Sequence, residues 1–178
     1  MIENSQSRVR NKSRLRQVVI FMKKIFSFGA VFAISGLLLA QFVQPVSVVR
    51  QPTTQASILV GAKADAHVVS LFERSCQNCH SLKTEWPVYS RIFPFSWLVE
   101  HDVQEARAHM NLSRWQTYDD EEKSLLLSEI GSVVRNHEMP PRRYTMVHPE
   151  AKLTGAEVNE IYQWTHAERR LVIHPPEE

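Results

Sequence analysis

The sequence predicts an all-α protein: one N-terminal transmembrane helix followed by a small helical domain. Three observations lead there. No charged residue lies between Lys24 and Arg50. Two capping-box patterns, Asp119 to Glu122 and Thr154 to Glu157, each open a run with helical apolar spacing. No strand-like alternation persists, and no internal repeat is visible.

The first element is a basic tail, residues 1–24. Arg8, Arg10, Lys12, Arg14, Arg16, Lys23 and Lys24 face a single acid, Glu3, for a net charge of +6. Residues 25–178 carry a net charge of −4, so the overall +2 comes entirely from the tail. A nucleic-acid footprint needs its basic residues on a folded face. Here they lie outside the predicted domain, and no nucleic-acid partner is expected. With 43% hydrophobic residues, 5 Gly and 9 Pro, the chain reads as globular, not low-complexity.

Residues 25–45 are apolar over about the 20 residues that a spanning helix needs. The Lys/Arg cluster before them predicts that the N-terminal end stays in the cytoplasm. The remainder then faces the periplasm or cell exterior of a bacterial inner membrane. A cleaved secretory signal is the competing reading, but it wants a small residue where Leu38 stands. An uncleaved signal-anchor is the preferred expectation, and no cysteine is placed for lipidation. Residues 46–64 read as a linker, with Pro52, several Gln/Thr/Ser and only a short apolar patch at Ile58-Leu59-Val60.

Residues 65–178 form the predicted helical domain. Asp65 is a plausible N-cap for a helix carrying Val68, Val69, Leu71, Phe72 and Cys76. Residues 81–95, with Pro87 and Pro94 among aromatics, read as an irregular loop. Ser96 is expected to cap a helix reaching about His109 or Asn111, with Trp97, Leu98, Val103 and Met110 on its apolar side. The Asp119 box opens a helix with Leu125, Leu126, Ile130, Val133 and Val134. Met139-Pro140-Pro141 must end it, because proline cannot sustain the ladder. The Thr154 box opens the last helix, with Val158, Ile161, Tyr162 and Trp164.

The chemistry concentrates in Cys76-Gln77-Asn78-Cys79-His80, the C-x-x-C-H pattern of covalent haem attachment. On a helical turn, positions i, i+3 and i+4 share a face. Both thiols can then meet haem vinyl groups while the imidazole reaches the iron. A thioredoxin-like site would need a βαβ pattern, and structural zinc would want four ligands. A disulfide is geometrically poor at adjacent turn positions. One covalent haem c is therefore the expected cofactor, with His80 as proximal iron ligand.

For the sixth ligand, Met139 is the choice. It stands at a helix end just before two prolines and about half the domain away from His80. Met110, Met146, His101, His109, His137 and His148 are the alternatives. Trp86, Tyr89, Trp97 and Trp115 could contact the porphyrin or simply pack in the core. Arg91 or Arg107 could pair with a propionate, or sit in solvent.

With these residues in hand, the chain resembles the bacterial haem-binding domain family of small cytochrome-c-like proteins. The resemblance rests on Cys76 to Ser81, Thr84 to Ser90, Pro94 to Leu98, Asn111 to Trp115, Met139 to Pro141 through Tyr144, and His148 to Thr154. It implies a c-type haem with His80 proximal and supports Met139 as distal ligand. Asp102 and Glu105-Ala106-Arg107 depart from the His-Val and Gly-Arg more usual there, so the resemblance assigns His101 no role.

The expected function is a membrane-anchored electron-transfer module with a redox partner that the sequence does not identify. A peroxidase-like haem enzyme, with His137 as distal acid or base, is the alternative. A haem-based sensor is a third reading.

Overall fold

A computed structural model describes residues 3–43 and 57–175. Every regular element among them is helical, as the sequence predicts. The chain divides into two compact units, Met1–Gln44 and Pro45–Glu178.

The first unit holds one helix, α1 (Glu3–Ala40). Its stretch Ile20–Ala40 has mean hydropathy 1.6 over 21 residues and is long and apolar enough to cross a membrane. That window starts earlier than the expected residue 25, because Lys23 and Lys24 lie within the helix. Phe26, Phe28 and Phe32 stand exposed on it, as a lipid-facing surface would require. The end of the expected span, residues 44–45, lies outside the described residues.

The second unit is built around two long helices, α5 (Asp120–Arg135) and α7 (Gly155–Ile173). Both open on the predicted capping boxes, Asp119 with Glu122 and Thr154 with Glu157. Their Leu127, Ile130, Val134, Val158 and Ile161 are buried against one another. Gly131 sets the spacing, since a Cβ there would lie 2.7 Å from Thr165 Oγ1. Arg135 covers the Tyr162 ring, its guanidinium carbon 4.5 Å from the ring centroid.

Around this pair lie α2 (Ala66–Ser75), the single turn α3 (Gln77–His80), α4 (Phe95–His109) and α6 (Arg142–Val147). Asp65 caps α2, its side chain accepting from the Val68 N–H at 2.8 Å. Phe72 of α2 meets Trp164 of α7 edge to face at 5.2 Å. Trp115, in a 3-10 turn over Leu112–Thr117, is 1% exposed and belongs to the core.

Four expectations need correction. Ile58 and Leu59, read as linker, are buried in the core, and the Leu59 N–H donates to the Leu112 carbonyl. The short apolar patch was thus a core segment, while residues 46–56 of the linker lie outside the described residues. Ser96 does not cap α4. Pro94 precedes the helix, and Ser96 is fully buried inside its first turn. Trp97, expected on the apolar side of α4, is 51% exposed. Finally, α5 ends at Arg135, before the prolines. His137 takes a left-handed φ of 58°, and the His137 and Glu138 N–H groups donate to the Val134 and Val133 carbonyls. That is a Schellman-type stop with histidine where glycine is usual.

Candidate functional site

The backbone turns back at Cys76, which closes α2 and precedes α3. The Cys79 and His80 N–H groups both donate to the Cys76 carbonyl. This one turn puts Cys76, Cys79 and His80 on the wall of a single cavity of about 720 Å3. Such a volume is that of a site for a large organic ligand, roughly 300–1,000 Å3. Met139, Pro140 and Pro141 line the same cavity. Phe72, Leu98, Met110, Ile130 and Val134 give it an apolar interior.

Burial raises both thiols above their ordinary range, Cys76 to about 12. For Cys79, Asp102 adds to that shift, while Arg107 and Arg143 oppose it. Burial acts on His80 in the other direction and favours the neutral ring. Its Nδ1 lies 3.2 Å from the Met110 carbonyl oxygen. A carbonyl only accepts, so Nδ1 carries the proton and Nε2 keeps its lone pair. A neutral imidazole with an oriented N–H is the state in which histidine ligates a metal.

The turn is held from both sides. Asn78 donates from Nδ2 to the Tyr144 hydroxyl at 3.0 Å and accepts at Oδ1 from the Glu85 N–H at 3.0 Å. The Thr84 hydroxyl donates to the Asn78 carbonyl at 2.7 Å. Arg107 donates from Nε to the Ser81 carbonyl at 2.8 Å and from Nη2 to Thr84 Oγ1 at 2.7 Å. Arg107 is therefore bonded inward onto the loop that follows His80. Arg91 is exposed and does not line the cavity.

Side-chain hydrogen bonds link the elements around the cavity. Asp102 of α4 meets Arg143 of α6 at 2.8 Å, and His109 of α4 meets Glu129 of α5 at 2.9 Å. All four residues line the cavity. Arg143 is a cation at this site that the sequence reading missed. Nothing in the local pattern around the two prolines signalled it.

Of the alternative iron ligands, Met110 and His109 line the cavity with Met139, and Met146, His101, His137 and His148 do not. Met110 is 7% exposed, and its carbonyl oxygen accepts from His80 Nδ1. Met146 is 75% exposed and is not on the wall. His101 is exposed and pairs with Glu105 at 3.4 Å. His137 is exposed at the end of α5 and does not line the cavity. His148 has both ring nitrogens engaged, Nε2 by the Tyr89 hydroxyl at 2.6 Å and Nδ1 by Glu150 at 3.0 Å. Among the four aromatics singled out from sequence, only Tyr89 lines the cavity. Among the described residues, no group of three or more His, Cys, Asp or Glu side chains is arranged to hold a metal ion.

A family model described as a haem-binding domain matches residues 35–167. Cytochrome c peroxidase Ccp of Escherichia coli is 28% identical over 120 residues, which is 65% of this chain and 26% of that protein. The chain thus spans about a quarter of the length of this curated relative. No solved structure matches.

Proposed function

The chain belongs to the haem-binding domain family, and on that premise we propose that it is a membrane-anchored c-type cytochrome module that transfers electrons. One haem is attached through thioethers at Cys76 and Cys79, with His80 as proximal and Met139 as distal iron ligand. One observation carries this reading: two thiols, a neutral imidazole with a free Nε2 and a thioether side chain line one apolar cavity. That donor set is the one a haem c uses.

When bound, the haem supplies the one-electron chemistry. The chain's own residues do the rest. The Met110 carbonyl orients the His80 ring through Nδ1. Asn78, Thr84 and Arg107 fix the turn that presents the thiols. The apolar walls exclude water, which lowers the local dielectric and favours the less charged, reduced state. A methionine ligand acts in the same direction by raising the reduction potential.

The basic segment before Ile25 supports an N-terminal end in the cytoplasm and a haem domain on the outer side. Residues 1–24 would be the cytoplasmic tail, 25–45 a retained signal-anchor, 46–64 the tether and 65–178 the haem domain, with Ile58 and Leu59 packed into that domain.

The test is intact mass with a haem stain on membrane and soluble fractions, followed by optical spectra. The expected result is one covalent haem in the membrane fraction, a low-spin reduced spectrum and a sulfur-to-iron band when oxidised. Cys79→Ser and His80→Ala should abolish stable haem incorporation. A fully folded wild-type chain without covalent haem would overturn the proposal.

The similarity to a cytochrome c peroxidase favours a second reading, a haem enzyme that turns over peroxide. Its expected distal group, His137, lies off the cavity wall. Peroxide turnover by the isolated chain, with its distal ligand displaced, would favour the enzyme over the carrier.

A further inference from the structure

Three aromatic rings meet beside the cavity without contributing an iron ligand. Tyr89 sits in a 3-10 turn over Val88–Arg91 and lines the cavity. Its hydroxyl lies 2.6 Å from His148 Nε2. Tyr144 of α6, which also lines the cavity, stacks on the His148 ring at 4.5 Å and 24°. Glu150, in the turn Pro149–Ala151, holds His148 Nδ1 at 3.0 Å. Among the described residues these three, Tyr89, Tyr144 and Glu150, are the titratable groups that the structure places against His148.

The directions of the hydrogen bonds follow from the partners. The Glu150 carboxylate only accepts, so Nδ1 of His148 carries a proton. In the neutral ring Nε2 is then an acceptor, and the Tyr89 hydroxyl donates to it. When His148 takes a second proton, Nε2 becomes a donor and Tyr89 must accept. The Tyr89 proton then turns to another acceptor, and the cavity that Tyr89 lines is where negative charge would offer one. His148 thus acts like a base held in one tautomer by a carboxylate, the arrangement that makes a proton acceptor effective.

Resting on the haem reading above, we propose that His148 is a positioning residue that acts through Tyr89. Its proton decides whether the Tyr89 hydroxyl donates outward to the imidazole or inward to the haem cavity. An electron added to the haem favours the inward donor, so reduction draws a proton onto His148. The balance is simple. One electron comes from an external one-electron donor, and one proton comes from solvent to Nε2 of His148, whose side chain keeps 18% of its surface exposed. No other covalent bond forms or breaks, and the Tyr89 hydroxyl only turns its hydrogen bond.

The experiment is a potentiometric titration of the haem-loaded full chain in detergent, with dithionite as reductant and redox mediators, repeated from pH 5 to pH 9. Covalent haem is checked first by stain and mass. The wild-type midpoint potential should fall as pH rises through part of that range. His148→Gln keeps hydrogen-bonding groups but does not titrate, and Tyr89→Phe removes the hydroxyl. Each should reduce the slope at least twofold. Glu150→Gln removes the anion that favours the protonated ring, so the sloping region should move to lower pH. A flat wild-type profile on a haem-loaded chain overturns the proposal, as does an undiminished slope in both His148→Gln and Tyr89→Phe. Absence of haem from the wild type overturns the haem reading instead, and the stain distinguishes the two failures. If both variants lose haem, the wild-type slope and the direction of the Glu150→Gln shift decide.

Discussion

The turn that carries Cys76, Cys79 and His80 and the segment that carries Met139 line one cavity, but they are held in opposite ways. The turn is bonded through Asn78, Thr84, Arg107 and the Met110 carbonyl, to partners drawn from three other stretches of chain. The Met139 segment hangs from the end of α5. The Glu138 and Met139 N–H groups share the Val133 carbonyl, at 2.9 and 3.2 Å, and Met139 is 40% exposed. The difference teaches which side of the site is preset by folding. The cysteine-histidine turn is complete as the chain folds. The methionine side is positioned by a helix stop and two prolines, and it has room to adjust when a ligand fills the cavity.

Arg107 offers the largest test of that contrast in the folded chain. It holds a carbonyl of the fully buried Ser81 and the hydroxyl of the nearly buried Thr84. Arg107→Ala removes the charged donor from both and leaves the Ser81 carbonyl only the Thr84 hydroxyl, at 3.5 Å; losing the donor of a buried group costs about 1–3 kcal/mol. The expected outcome is an unfolding free energy lowered by that amount, read as a lower denaturation midpoint at an unchanged m-value. Arg107→Lys should recover only part, because one ammonium cannot reproduce the two-point fork. A loss well under ~1 kcal/mol in Arg107→Ala would mean that the turn is held mainly by Asn78 and Met110.

Met139→Ala should be milder for the fold and decisive for the spectrum. The side chain is already 40% exposed, so its truncation forfeits less than the ~2–5 kcal/mol of a core methionine. A stability loss of about 1 kcal/mol is expected, with covalent haem retained. On the proposed ligation the sulfur-to-iron band should vanish and the potential should fall, since a methionine ligand raises it. Persistence of that band would assign the distal position to another thioether, and Met110 also lines the cavity.

What the sequence showed in advance and what it hid divide along the same line, local against long-range. The two capping boxes, the Asp65 cap and the Cys76 to His80 turn are contiguous signals, and each is found in place. Ser96 looked like a cap because its residue type favours that position, but burial on α4 overrode the preference. Ile58 and Leu59 looked like linker because two apolar residues among polar ones carry no period. Helix α6 was missed because Arg142–Val147 follows prolines and, at six residues, is too short to show a helical period. At the site, Asp102 with Arg143 and Tyr89 with His148 join positions 41 and 59 residues apart. No pattern in one sequence pairs them. The cavity wall had to be seen before either contact could be assigned a role.

The smallest expected effect bears most directly on how Met139 is delivered. His137 holds a φ of 58° at the stop of α5, two residues before Met139. A non-glycine residue in the left-handed region costs about 1–2 kcal/mol, part of which glycine gives back through the freedom it adds to the unfolded chain, about 0.4–1 kcal/mol. His137→Gly should therefore raise stability by about 0.5–1 kcal/mol in a denaturation series. Its second readout is the sulfur-to-iron band. If the stop merely ends the helix, the band stays where it is in the wild type. A shifted band together with raised stability would mean that the histidine holds the Met139 segment at a cost to the fold, and that the less bonded side of the cavity is tuned by its backbone instead of by its contacts.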